Sequence, residues 1–165
     1  MDYLWSPWRY RYVSGGDKAG GCPFCEMARQ DPARDRERLI LRRANHNFVF
    51  LNLFPYTTGH MLIAPYAHRA RLTDLDPEVL NEMMLLARQA EMALETVYRA
   101  EGYNVGINIG KCAGAGVADH LHTHCLPRWT GDANFMSVAG ETRVLPEELS
   151  TTYQKLAGAF QRIPA

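Results

Sequence analysis

His120-Leu121-His122-Thr123-His124-Cys125-Leu126-Pro127-Arg128-Trp129 places half of the chain's six histidines at every second position. Read as a strand, the stretch sends His120, His122 and His124 to one face and Leu121, Thr123 and Cys125 to the other. Just upstream, Asn108-Ile109-Gly110-Lys111-Cys112-Ala113-Gly114-Ala115-Gly116 is a small-residue loop whose glycines let backbone amides approach an anion. Imidazoles beside such a loop point to chemistry on a phosphate.

Outward from this strand, Asn47-Phe48-Val49-Phe50-Leu51-Asn52-Leu53 is rich in β-branched and aromatic residues and bounded by turn formers. Pro55-Tyr56-Thr57-Thr58-Gly59 reads as a turn and His60-Met61-Leu62-Ile63-Ala64-Pro65 as the returning strand, so the two strands form a hairpin. Asn52 is the polar member of an apolar strand, either a satisfied core amide or a ligand contact. Leu39 to Leu41, Tyr103 to Ile109 and Thr142-Arg143-Val144-Leu145 add strands. Asp76-Pro77 sets a capping residue before a proline, and Val79, Leu80, Met83, Ala87, Ala90, Leu94 and Val97 recur at helical spacing, predicting one long helix that ends at Gly102. A short turn from Phe24 to Gln30 and a final helix of about Glu147 to Phe160 complete the helices, and Arg34 to Arg38 reads as a solvated face. Strands joined by short turns predict an α+β fold, an antiparallel sheet of about five strands with the long helix on one face and a C-terminal helix.

The 165 residues, 47% hydrophobic and 22% charged, suit one compact soluble domain. Lysine plus arginine equals aspartate plus glutamate, at 18 each, so no global field favours duplex nucleic acid and any phosphate attraction must be local. There is no apolar run of bilayer length, and Met1-Asp2-Tyr3-Leu4-Trp5-Ser6-Pro7-Trp8-Arg9 does not resemble a signal peptide; the expectation is a cytoplasmic protein with no membrane partner. Residues 1–21 form an aromatic N-terminal extension in which Tyr3, Trp5, Trp8, Tyr10 and Tyr12 alternate with Arg9 and Arg11. It either docks on its own domain or a partner subunit, or stacks on a base. Residues 22–165 make the single domain.

The histidine triplet has three readings. Neighbouring members sit roughly 6.5 to 7 Å apart along a strand and can share one metal ion, whereas His120 and His124, roughly 13 Å apart, cannot without distortion. Exposed residues without a task are the second reading. The third is nucleophilic catalysis, in which a neutral imidazole attacks phosphorus while its other nitrogen is hydrogen-bonded.

Three histidines separated by single residues near the C-terminal end of a domain resemble the signature of the histidine triad family. Asn52 and His60, in Gly59-His60-Met61-Leu62-Ile63-Ala64-Pro65, are similar to that family's ribose-binding polar residue and fourth active-site histidine. The resemblance covers about residues 22 to 130. It implies a nucleotide hydrolase or nucleotidyl transferase acting on adenine nucleotides or dinucleoside polyphosphates through a covalent nucleotidyl-histidine intermediate. It carries His122 over as nucleophile, His124 as phosphate binder or leaving-group assistant, and His60 as a further pocket residue. Asn52 is carried over to the ribose, Asn108, Gly114, Ala115 and Gly116 to the phosphates, and Trp129 to the substrate contacts. The segments Leu4 to Arg9 and Pro127 to Phe135 resemble the branch that includes diadenosine tetraphosphate phosphorylases. Many members carry a serine, threonine or glutamine where this chain has Ala115-Gly116-Val117. The family also implies a homodimer.

Cys22-Pro23-Phe24-Cys25 is ambiguous by itself between zinc ligation and dithiol chemistry, although no βαβ unit of the redox type surrounds it. The resemblance implies that Cys22, Cys25, His68 and His120 bind a structural zinc, as in some bacterial triad proteins. His46 is left as a surface histidine, and Cys112 and Cys125 as unpaired thiols. Two alternatives remain: a metal-dependent hydrolase with His120 and His122 as ligands, and a nucleotide-binding module without turnover.

Overall fold

A computed structural model describes residues 21–132 and 147–164. The aromatic N-terminal segment and the strand expected at Thr142 to Leu145 lie outside them. Five antiparallel strands form one sheet in the order β1-β2-β3-β5-β4. They are β1 (Ile40–Arg43), β2 (Asn47–Leu51), β3 (Met61–Pro65), β4 (Gly102–Ile107) and β5 (Thr123–Arg128). The helices are α1 (Pro23–Ala28), α2 (Asp35–Arg38), the 22-residue α3 (Pro77–Tyr98) and α4 (Leu149–Phe160). The α+β expectation is met.

Strand alternation divides the core in two. Val49, Leu51, Met61, Ile63 and Cys125 face α3 and α4 and bury Met83, Leu86, Ala90, Leu94, Leu156 and Phe160. Each such leucine contributes on the order of 2 kcal/mol by leaving water. On the other face Phe48, Phe50, Leu62 and Ala64 pack against Phe24 of α1. The first face is a helix-covered core; the second is where the site forms.

Local chemistry explains the element ends, and some differ from expectation. Asp76 occupies the N-cap of α3 but makes no side-chain cap bond, so entry relies on Pro77 with its preset φ. Arg99, not Gly102, ends that helix: it adopts φ 50 and its N–H bonds the Glu95 carbonyl. Gly102 instead opens β4 opposite Arg128. The charged run at Arg34 to Arg38 folds into a 3₁₀ turn and α2, and Asp35 leaves solvent to pair with Arg43 at 2.8 Å. β5 starts only at Thr123, because the Leu121 N–H bonds the carbonyl of Arg69 rather than joining the ladder. His120 and His122 therefore precede the paired strand.

Candidate active site

β3 and β5 are neighbours, with Leu62 opposite His124, so the strand pairing carries His60, at the foot of β3, alongside the triad. The approach depends on Gly59. Its φ is +80, and a Cβ there would lie 2.8 Å from the Leu94 side chain, a position only glycine fills without strain.

His60 is 1% exposed, and its Nδ1 accepts the Tyr56 backbone N–H at 3.1 Å. A backbone amide only donates, so the proton of neutral His60 must sit on Nε2. That nitrogen lies 2.9 Å from His124 Nδ1, which is thereby an acceptor. The proton of His124 is then on Nε2. Asn52 supports the same arrangement: its Oδ1 accepts the Phe54 N–H at 2.9 Å and its Nδ2 points to His60 Nδ1 at 3.2 Å.

His122 is set the opposite way. Its Nδ1 donates to the carbonyl of His120 at 2.9 Å, leaving the lone pair on Nε2. Burial holds the imidazole of His122 below its ordinary range, outweighing the opposing bond to that carbonyl. Burial, with His124 and His122 nearby, pushes His60 down to about 3, and burial with His122 pushes His124 down to about 4. All three rings are neutral at physiological pH.

His122 and His124, whose ring centroids are 5.0 Å apart, line a cavity together with Asn52, Gly114 and Gly116. Apolar side chains, among them Pro23, Phe24, Met27, Phe50, Leu62 and Val117, make most of the remaining lining. Within the glycine loop, Gly110 and Gly114 have φ of +85 and +89. The amides of Ala113, Gly114 and Ala115 bond to carbonyls of Gly110 and Lys111. The Gly114 and Ala115 amides expected at the phosphate are thus engaged in the turn itself, and Gly114 and Gly116 line the cavity. Asn108 leans on Gly114, its Nδ2 3.9 Å from where a Cβ would be. Trp129 is not among the lining residues; it packs edge-on against Tyr98 at 6.5 Å and donates its indole N–H to the Tyr98 carbonyl.

Phe24 and Tyr56 are among the lining residues not expected from sequence. Phe24 is expected as a spacer inside the cysteine pair and the start of a short turn, not as a site residue. Tyr56, read as part of a turn, stacks on His124 at 5.9 Å with planes 15° apart. Neither carries a periodic signal.

The cysteine pair meets His68 and His120 so closely that the four donor atoms lie within 4.8 Å of one another. Cys22 Sγ is 3.2 Å and Cys25 Sγ 3.5 Å from His120 Nδ1, and His68 Nδ1 is 3.3 Å from both Cys25 Sγ and His120 Nδ1. A tetrahedron with zinc bonds of ~2.3 Å to sulfur and ~2.05 Å to nitrogen has edges of roughly 3.3 to 3.8 Å, so these donors fit that ion. His120 Nε2 donates to the Pro65 carbonyl at 2.9 Å, which turns the Nδ1 lone pair toward the thiols. His122 is outside this donor set.

The HIT domain model matches residues 34–131. An AP-4-A phosphorylase of Mycobacterium tuberculosis is 35% identical across 99% of this chain and 87% of its own length. An asymmetrical bis(5'-nucleosyl)-tetraphosphatase of Schizosaccharomyces pombe is 34% identical over 56% of the chain and 50% of its own. Among solved structures, a zinc-bound histidine triad family protein from Mycobacterium smegmatis superposes with a TM-score of 0.69 at 28% identity, covering 86% of this chain and 94% of that one. With this match over more than half its length and the triad in place, the chain belongs to the HIT domain family, the histidine triad proteins.

Proposed function

We propose that the protein cleaves adenine nucleotides or dinucleoside polyphosphates through a nucleotidyl intermediate on His122. The observation that carries this reading is the bond from His122 Nδ1 to the His120 carbonyl, which leaves Nε2 as a neutral nucleophile at the cavity wall. The lone pair of Nε2 attacks the α-phosphorus, a nitrogen–phosphorus bond forms and the bond to the leaving oxygen breaks. His124 donates a hydrogen bond from its Nε2–H to that oxygen, which takes its proton from solvent. Gly116 lies beside the phosphates, Asn52 beside the ribose, and the apolar lining around Phe24 takes the base. The names of the Mycobacterium tuberculosis and Schizosaccharomyces pombe relatives support this substrate class.

Cys22, Cys25, His68 and His120 hold a structural zinc, which cross-links α1 to the start of the triad strand. Zinc in the Mycobacterium smegmatis neighbour supports this assignment. The protein pairs as a homodimer along β4, an edge strand on which Val105 is 47% exposed.

The test is turnover of diadenosine tetraphosphate with and without inorganic phosphate, with products identified by mass. His122→Ala is expected to lose at least ~10³-fold in kcat and all covalent adduct. Adenosine diphosphate appears only if phosphate resolves the intermediate, whereas water gives adenosine monophosphate. Equal turnover by the variant removes His122 as nucleophile.

A further inference from the structure

Phe24 stands between the metal ligands and the cavity. It is the residue before Cys25 and two after Cys22, its ring meets His120 edge-on at 5.4 Å and His122 at 5.1 Å, and it packs on Phe50 at 5.2 Å while lining the cavity. The helix that carries it has only six residues, and its N-cap residue, Cys22, makes no side-chain cap bond. A helix that short is not stable on its own propensity and must be held at both ends. Its C-terminal end is held by Arg43, which donates to the Ala28 carbonyl at 2.8 Å and the Gln30 carbonyl at 3.3 Å. The N-terminal end, which carries Pro23 and Phe24 of the cavity wall, is held where Cys22 and Cys25 meet His68 and His120. His120 also supplies the carbonyl that orients His122.

We propose that the four-ligand metal site is an affinity element for the nucleotide as well as a structural one: bound zinc fixes the base-side wall through Phe24, so that metal and nucleotide tighten each other's binding. The inference rests on the nucleotide reading above. Without the metal, the N-terminal end of α1 is released and the wall loses Phe24 and Pro23. The phosphate end, built from the glycine loop and β5, keeps its shape. Coupling between two ligands is reciprocal, so AMP must hold zinc more tightly by the same factor that zinc improves AMP binding.

That reciprocity allows a test on the zinc-loaded protein without preparing a folded metal-free form. Zinc transfer to a chromophoric chelator is measured with no addition, with saturating AMP and with inorganic phosphate. AMP is expected to raise zinc affinity about tenfold, within the usual range of site-to-site coupling, and phosphate to leave it unchanged. Phe24→Ala is expected to bind AMP more weakly and, at saturating AMP, to release zinc as it does without AMP. Phe24→Leu, which keeps an apolar side chain, is expected to show a reduced coupling and serves if the alanine variant does not fold. AMP that binds the wild-type protein without changing zinc release overturns the inference, as does a shift that persists undiminished in the Phe24 variants. AMP that fails to bind the zinc-loaded wild-type protein overturns the nucleotide reading, and this inference with it.

Discussion

His60 and His124 are joined ring to ring by a 2.9 Å hydrogen bond whose direction is set by the backbone of Tyr56, which donates to the far nitrogen of His60. A main-chain amide thus decides the position of a proton two rings away, on His124 Nε2 at the cavity. Both rings of this relay are neutral.

Removing the relay's middle ring tests it. His60→Phe keeps the aromatic volume but takes away both the acceptor for Tyr56 and the donor to His124. A fall in kcat of roughly ten- to a hundredfold is expected, the size of loss when a supporting hydrogen-bond partner is deleted, with KM changed less than about threefold. An unchanged kcat in steady-state assays contradicts the relay.

The acid limb of kcat/KM is expected below pH 6.5, because His122 must be neutral to attack and burial holds it below its ordinary value. Stability follows the same sign. The unfolded chain takes up protons on its histidines near pH 6.5, while folded His60 and His124 refuse them until about 3 and about 4. Stability is therefore undiminished above pH 6.5 and falls as the pH drops from there toward 4. Urea midpoints across this window are expected to fall less steeply in His124→Asn, which has the same metal ligands as the wild type.

Cys25→Ser removes one of four donors and is expected to reduce bound zinc from one per chain to none, measured by atomic absorption. If zinc is held at about 1,000 times its Kd, the loss is ~4 kcal/mol. For a chain of this size that is a drop in Tm of roughly 10 °C. Below that lowered Tm, kcat at saturating nucleotide is expected to persist; its abolition would favour a catalytic ion.

Gly59→Ala adds a Cβ 2.8 Å from Leu94 and 3.2 Å from Tyr98 at φ +80. A loss of about 1–3 kcal/mol is expected from chemical denaturation. Activity is expected to fall further than stability explains, because the shift moves His60.

If the proposed dimer forms along β4, Val105→Lys, which places a charge on its exposed edge, is expected to give monomer where the wild type gives dimer in analytical ultracentrifugation. The opposite edge is partly closed, since Tyr153 donates its hydroxyl to the Ile40 carbonyl at 3.2 Å.

The sequence by itself determined the elements and the chemistry types. The spacing of Val79, Met83, Ala90 and Leu94 is that of a helix with one buried face, and the apolar runs Asn47 to Leu51 and Met61 to Pro65, set between turn formers, are those of strands buried on both faces. These signals are local, arising from a period of 3.6 residues and from short apolar runs between turn residues. The triad and the cysteine pair were legible because few other arrangements place those side chains at such short spacing. The family resemblance implied how the three histidines divide, and only the tertiary structure supplied the partners of each ring. His120 turns to Cys22 and Cys25, nearly a hundred residues away in the chain, because Leu121 bonds Arg69 instead of extending β5. His124 receives its proton orientation from a turn residue, Tyr56, and Trp129 leaves the site to pack on Tyr98. Such assignments depend on which long-range partner saturates each backbone amide and ring nitrogen, and no local periodicity encodes that.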